Sequence, residues 1–169
     1  MQRKNRNESE GPHVRPFFID FMITTTQIKT LFEQWQKDET IFLVDSAIKP
    51  GNKIVVLIDR IEGLNITDCV ALSRFIEGSL DREKEDFELS VSSPGADAPF
   101  KVLKQYQKNI GRNVKITTKD DQIAIGTLIK LEGNSIEIAP EKGKKAKVAL
   151  PNIFEIKNIK EIKVIISFK

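Results

Sequence analysis

The chain has 169 residues, 40% hydrophobic and 30% charged, with a net charge of +3, enough apolar material for one ordinary domain or two small ones and too much for wholesale disorder. A single cysteine, Cys69, excludes an intrachain disulfide framework and multi-cysteine metal sites, and a single histidine, His13, leaves little room for histidine-dependent catalysis. No apolar run approaches the roughly 20 residues of a membrane-spanning helix, so a soluble, cytoplasmic protein is expected.

Residues 1–21 begin polar and of mixed charge, with Gly11, Pro12 and Pro16 breaking any period, and are expected to form a disordered extension. Asp20 interrupts the apolar run at Phe17, Phe18 and Ile19, and no small-residue cleavage site follows, so this stretch does not read as a signal peptide. Met22, just ahead of the first regular element, is expected to be the natural start. Ile28, Leu31, Phe32 and Trp35 then fall at i, i+3, i+4 and i+7 behind N-cap candidates at Thr24 to Thr26, which predicts a helix. Two β-rich runs follow at 40–47 and 53–59, joined by Lys49-Pro50-Gly51-Asn52 as a looped hairpin. The unbroken apolar run 54–58 predicts a central strand covered at least in part on both faces. A second helix is predicted over about residues 67–80, burying Cys69, Leu72, Ile76 and Leu80. Phe87, Leu89 and Val91 alternate with Glu88, Ser90 and Ser92 in a strand with one wet face. These elements make an α-β-β-α-β domain over residues 22–100, with two helices on one face of a three-stranded sheet. Ser92-Ser93-Pro94-Gly95 ends the last strand, since Pro94 lacks a donor and Gly95 is suited to positive φ.

The second domain, residues 101–169, opens with a helix-like stretch at 101–109 and is otherwise β. Val114 and Ile116 alternate with Lys115 and Thr117. Ile123, Ile125, Ile129 and Leu131 are expected on one face of a long strand, with Gly126 relieving a sharp bend. Ile136 and Ile138, then Val148 and Leu150, predict two more short strands, residues 151–154 a tight turn, and Ile162, Val164, Ile166 and Phe168 a closing strand. Five short, bent strands predict a small barrel, because closure removes exposed edges.

Net charge conceals an asymmetry. Residues 1–100 carry 12 basic against 17 acidic side chains, a net of −5, and residues 101–169 carry 15 against 7, a net of +8. Such halves meet surfaces of different charge, or simply keep a small domain soluble. Nothing in the residue pattern points to catalysis. No G-x-S-x-G elbow surrounds Ser92 or Ser93, no phosphate-cradling Gly-rich loop is present, and Asp59, Asp68, Asp81 and Asp97 lack calcium-loop spacing. No cofactor or metal is expected. Binding is better supported: Lys142, Lys144, Lys145 and Lys147 in a Gly-containing loop, with Lys101, Lys104, Lys108, Arg112 and Lys115 ahead of them, form a set that attracts phosphates with strong salt dependence. The loop alone reads equally as a solvated hairpin tip. Tyr106 and Phe154 are the only aromatics near this set, so base stacking is not the expected mode. The acidic half suits a basic protein.

Residues 58–111 resemble the ribosome maturation factor RimP family. The resemblance is carried by Ile58-Asp59, Gly63-Leu64-Asn65-Ile66-Thr67-Asp68-Cys69, Leu72-Ser73, Leu80-Asp81, the run Leu89-Ser90-Val91-Ser92-Ser93-Pro94-Gly95 with Asp97 and Pro99, and Gly111-Arg112. Weaker similarity extends over about residues 22–168. The resemblance implies an α+β protein whose α-β-β-α-β domain precedes a small Sm-like or SH3-like β-barrel. It further implies a non-catalytic cytoplasmic factor that binds the free small ribosomal subunit during assembly and assists incorporation of small-subunit ribosomal protein twelve. On this reading Asp59, Asp68, Ser92, Ser93, Pro94, Gly95 and Asp97 face the basic ribosomal protein, while Arg112, Lys142, Lys144, Lys145 and Lys147 face rRNA. The alternative is a general RNA-binding or RNA-chaperone module using the same barrel; a hydrolase, which would depend on Ser92 or Ser93, is a weaker third. Two positions depart from the family pattern. Ala98 stands where an arginine is usual, so no contact is carried over to it, and Ser90 replaces the usual glutamate.

Overall fold

A computed structural model of the protein describes residues 22–140 and 153–166. The extension 1–21, Val148, Leu150 and the loop lysines Lys142, Lys144, Lys145 and Lys147 lie outside the described residues. The first helix, α1 (Thr25–Trp35), starts at Thr24, whose hydroxyl accepts the Gln27 N–H at 3.1 Å, and buries Ile28, Leu31, Phe32 and Trp35 as their spacing predicts. Strands β1 (Ile41–Lys49) and β2 (Lys53–Arg60) form an antiparallel hairpin whose loop uses Gly51 and Asn52 at positive φ. Helix α2 (Ile66–Ser79) carries the chain to β3 (Glu88–Ser92), which pairs with β2 in parallel, so β2 is central in the order β1-β2-β3.

Ile54, Val56 and Ile58 of β2 point toward both helices and are fully buried, with Leu72 and Ile76 of α2 above them. Cys69 and Leu80 are only half-buried at the margin of this core, less than their spacing predicts, because the helix turns those positions toward its rim. Val55, Leu57 and Asp59 alternate onto the other face of the sheet. A bulge between Leu43 and Asp45 decides what joins them there. Continued in simple register, Asp45 would follow Ile41 and Leu43 into the apolar core; the extra residue sets it opposite Leu57 instead, on the face of Phe42 and Asp59.

The chain then turns through residues 95–98, closed by the Ala98 N–H on the Gly95 carbonyl at 2.9 Å. Gly95 is not at positive φ, contrary to expectation; among the described residues the left-handed glycines are Gly51, Gly63, Gly111 and Gly133. A short helix, α3 (Leu103–Lys108), leads into β4 (Asn113–Thr118), β5 (Ile123–Glu132), β6 (Ser135–Pro140), β7 (Ile153–Glu155) and β8 (Ile159–Val164). These form one antiparallel sheet in the order β7-β6-β5-β4-β8 around a second core of Val114, Ile116, Leu128, Ile136, Phe154 and Ile162, with Tyr106 of α3 packed in.

Three expectations for this sheet need correction. Ile123 and Ile125 face solvent at 53% and 40% exposure, and the inner positions are Ala124, Gly126 and Leu128. The inner side of a sharp bend has no room for large side chains: a Cβ on Gly126 would lie 2.2 Å from the Ala139 carbonyl oxygen. A bulge at Leu128/Lys130 then reverses the alternation, leaving Ile129 exposed and returning Leu131 to the core. Ile153 and Phe154 belong to a strand rather than a turn, since they pair with Glu137 and Ile136. Lastly, among the described residues no ladder joins β7 to β8, so the sheet is bent but not a closed barrel. Bent it must be. A flat five-stranded sheet sets its edges about 19 Å apart, whereas a single 3₁₀ turn, Ile156–Asn158, carries the chain from one edge to the other.

Candidate partner-binding cleft

The predicted site residues divide between two faces of the first sheet. Asp68, three residues after the N-cap Asn65, closes a capping box at the start of α2 and holds Arg60 through two contacts, at 3.2 and 3.1 Å. That hydrogen bond raises the Arg60 guanidinium pKa above its ordinary value and fixes the side chain across the end of β2. Asp59 points to the opposite face. Its carboxylate accepts the Arg60 N–H at 2.8 Å and the Lys108 ammonium at 2.6 Å, in a pair whose side chains are 10% and 17% exposed.

Lys108 belongs to a set that crosses from α3 to the first sheet. Lys101 pairs with Asp45, and Lys104 donates to the Glu39 carbonyl at 2.6 Å with its ammonium 5.9 Å from the centre of the Phe42 ring. Lys104 and Lys108 lie one helical turn apart, so both reach the same surface. The lysine beside Asp45 holds that carboxyl below the usual carboxylate range. Gln105, buried, locks the entry to α3: its side-chain oxygen accepts the Lys101 N–H at 2.6 Å and the Val102 N–H at 3.2 Å, fixing the backbone ahead of a helix whose valine N-cap offers no side-chain acceptor. Asn109, also buried, closes the helix by donating to the Gln105 carbonyl at 2.7 Å.

Beside these contacts opens a cleft of about 510 Å³. One wall is the end of β2 and its following loop, with Asp59, Glu62 and Gly63; the second is the turn at Ser93, Pro94 and Gly95. The third comes from the other half of the chain, with Lys108, Asn109 and Arg112. Five predicted residues therefore meet here: Asp59, Ser93, Pro94, Gly95 and Arg112. Ser92 and the exposed Asp97 flank the cleft without lining it, and Asp68 lies behind the sheet. Arg112, expected to face RNA, stands across from the turn expected to face protein.

Lys101, Lys104 and Lys108 are held within the molecule, so they do not add to a free phosphate-attracting set as their sequence pattern suggests. Tyr106 and Phe154 are core residues and offer no ring for stacking. Of the four aspartates weighed as cation ligands, three face their own bases, Asp59 on Lys108, Asp68 on Arg60 and Asp81 on Lys84. Among the described residues no three His, Cys, Asp or Glu side chains converge. Burial pushes the Cys69 thiol pKa up, away from nucleophilic chemistry. What sequence reasoning missed is Asp45, Gln105 and Asn109, and it set Lys108 toward phosphates rather than toward Asp59. The signal available for Asp45 was an aspartate on the core phase of an apolar strand, which calls for a bulge.

Comparison with known proteins bears on the same residues. The family model of the RimP N-terminal domain matches residues 36–97, from the hairpin through α2 to the Ser92–Asp97 turn. The ribosome maturation factor RimP of Christiangramia forsetii is 35% identical over 140 residues, covering 79% of this chain and 92% of the relative. The protein of that name from Porphyromonas gingivalis is 36% identical over 132 residues, covering 75% and 87%. That from Flavobacterium psychrophilum is 42% identical over 98 residues, covering 57% and 64%. With relatives aligned over most of their own length and the cleft-forming turn inside the matched segment, the chain belongs to the ribosome maturation factor RimP family.

Proposed function

We propose that the protein is a non-catalytic cytoplasmic assembly factor that binds the free small ribosomal subunit and assists incorporation of small-subunit ribosomal protein twelve. The observation that carries this reading is the gathering of the family motif around one cleft between an acidic and a basic half of the chain. The two separate cores support a division into domains at 22–100 and 101–169, and the bent five-stranded sheet is in keeping with an Sm-like barrel. In this proposal Ser92, Ser93, Pro94, Gly95 and Asp97 meet the basic ribosomal protein, with Asp59 and Asp68 holding the shape of that face through Lys108 and Arg60. Arg112, Lys142, Lys144, Lys145 and Lys147 meet rRNA.

Co-sedimentation with small subunits, large subunits and assembled ribosomes at two salt concentrations tests it. Migration with free small subunits alone is expected. Equal migration with every RNA-containing particle, abolished by salt, would reject the assembly reading in favour of a general RNA-binding module. Replacing Lys142, Lys144, Lys145 and Lys147 with glutamate is expected to weaken subunit binding and flatten its salt dependence; unchanged binding would reject the RNA-facing assignment.

A further inference from the structure

We infer that the face of the first sheet around Phe42, Asp45 and Asp59 is a binding surface for a lysine-bearing segment of the partner, and that α3 of the same chain occupies it in this structure. The inference rests on the reading that the protein binds a basic protein. Three lysines of one short segment meet three different acceptors on that surface: the Asp45 carboxylate, the Glu39 carbonyl beside the Phe42 ring, and the buried Asp59 carboxylate. The surface thus reads lysine by charge, by hydrogen bonding and by a ring face.

The contact has the character of an exchangeable latch. Among the described residues the two apolar cores share no residue. Tyr106 of α3 is committed to the second core, edge-on to Phe100 with ring centres 5.2 Å apart, and Leu103 and Ile110 are exposed. What ties α3 to the first sheet is therefore its three lysines, set over the buried ring of Phe42. The helix does not need the first sheet for its own ends, because Gln105 caps its start and Asn109 its close. Relative motion is the ordinary behaviour of a polar contact of this kind within one chain. A lysine-bearing partner segment competes for the same acceptors, and its apparent affinity is lowered by the fraction of molecules in which α3 already holds them.

The test uses a fluorescent peptide with the sequence of residues 101–109, titrated against the full-length protein and its variants. The triple variant Lys101→Gln, Lys104→Gln, Lys108→Gln is expected to bind the peptide at least about tenfold more tightly than the unsubstituted chain, and less tightly as salt rises. Adding Asp45→Asn and Asp59→Asn to the triple variant should abolish that binding. Equal binding by the unsubstituted chain and the triple variant, or binding by neither, overturns the inference. Should the triple variant fail to fold, Lys101→Gln alone, whose contact is half exposed, must still raise peptide affinity; no increase also overturns it. Small-subunit sedimentation of the unsubstituted chain, run in parallel, separates the two readings. Its loss removes the assembly role and leaves peptide exchange standing, whereas selective sedimentation without peptide exchange removes only the latch.

Discussion

Gly126 and Asp59 show how much can rest on one side chain, or on the lack of one. The strands β5 and β6 approach so closely at Gly126 that a methyl group would overlap the Ala139 carbonyl. Gly126→Ala is expected to cost about 2–3 kcal/mol in urea unfolding, as backbone has to move; a cost below about 0.5 kcal/mol would show that the bend is softer than this geometry implies. Asp59 is a different case. Removing its carboxylate leaves the Lys108 ammonium largely buried without its partner. Asp59→Ala is therefore expected to destabilise by about 3 kcal/mol, with Asp59→Asn milder, since it keeps an acceptor. Equal loss in the two variants would count against the ion pair and in favour of simple packing.

At the scale of elements, the bulge in β1 matters most. It takes Asp45 out of the apolar core and places it where Lys101 can reach. The pKa consequence has a definite sign. The folded-state pKa of Asp45 lies below its unfolded value, so the pair contributes stability above about pH 4 and loses it as pH falls through the lowered folded value. Asp45→Asn is expected to flatten the fall in denaturation midpoint between pH 5 and pH 3; an unchanged slope would mean that Lys101 and Asp45 are not paired in solution. Helix α1 buries the apolar stripe its periodicity predicts, and α2 buries Leu72 and Ile76 while leaving Cys69 and Leu80 at its rim. Strand β5 departs from its pattern. Its alternation was legible, but which face turned inward depended on the crowding at Ala139, residues away in sequence, and on a second bulge at Leu128/Lys130.

The whole molecule brings an acidic half and a basic half together at a cleft, and some of that charge is consumed internally. Lys101, Lys104 and Lys108 contribute to the basic total of the second half, yet they are directed at the first sheet. The free basic character available to a polyanion is thereby smaller than the count of lysines suggests. The salt dependence of the proposed subunit binding tests for phosphate contacts by the remaining basic side chains, and the peptide titration tests the lysines engaged within the chain. The two experiments read opposite sides of one distribution of charge.

By itself the sequence determined the order α-β-β-α-β, four of the five strands described after it, the central place of residues 54–58, the end of β3 ahead of Pro94 and the family to which the chain belongs. Each of these follows from local periodicity, turn chemistry or a contiguous motif. Tertiary structure decided which face of β5 is inside, that Ile153 and Phe154 extend the sheet, that Asp59 and Asp68 stand on opposite sides, and that Arg112 shares a cleft with Ser93 to Gly95. All four depend on contacts between residues far apart in the chain. A period of two or of 3.6 carries no information about those contacts until both partners are placed in space.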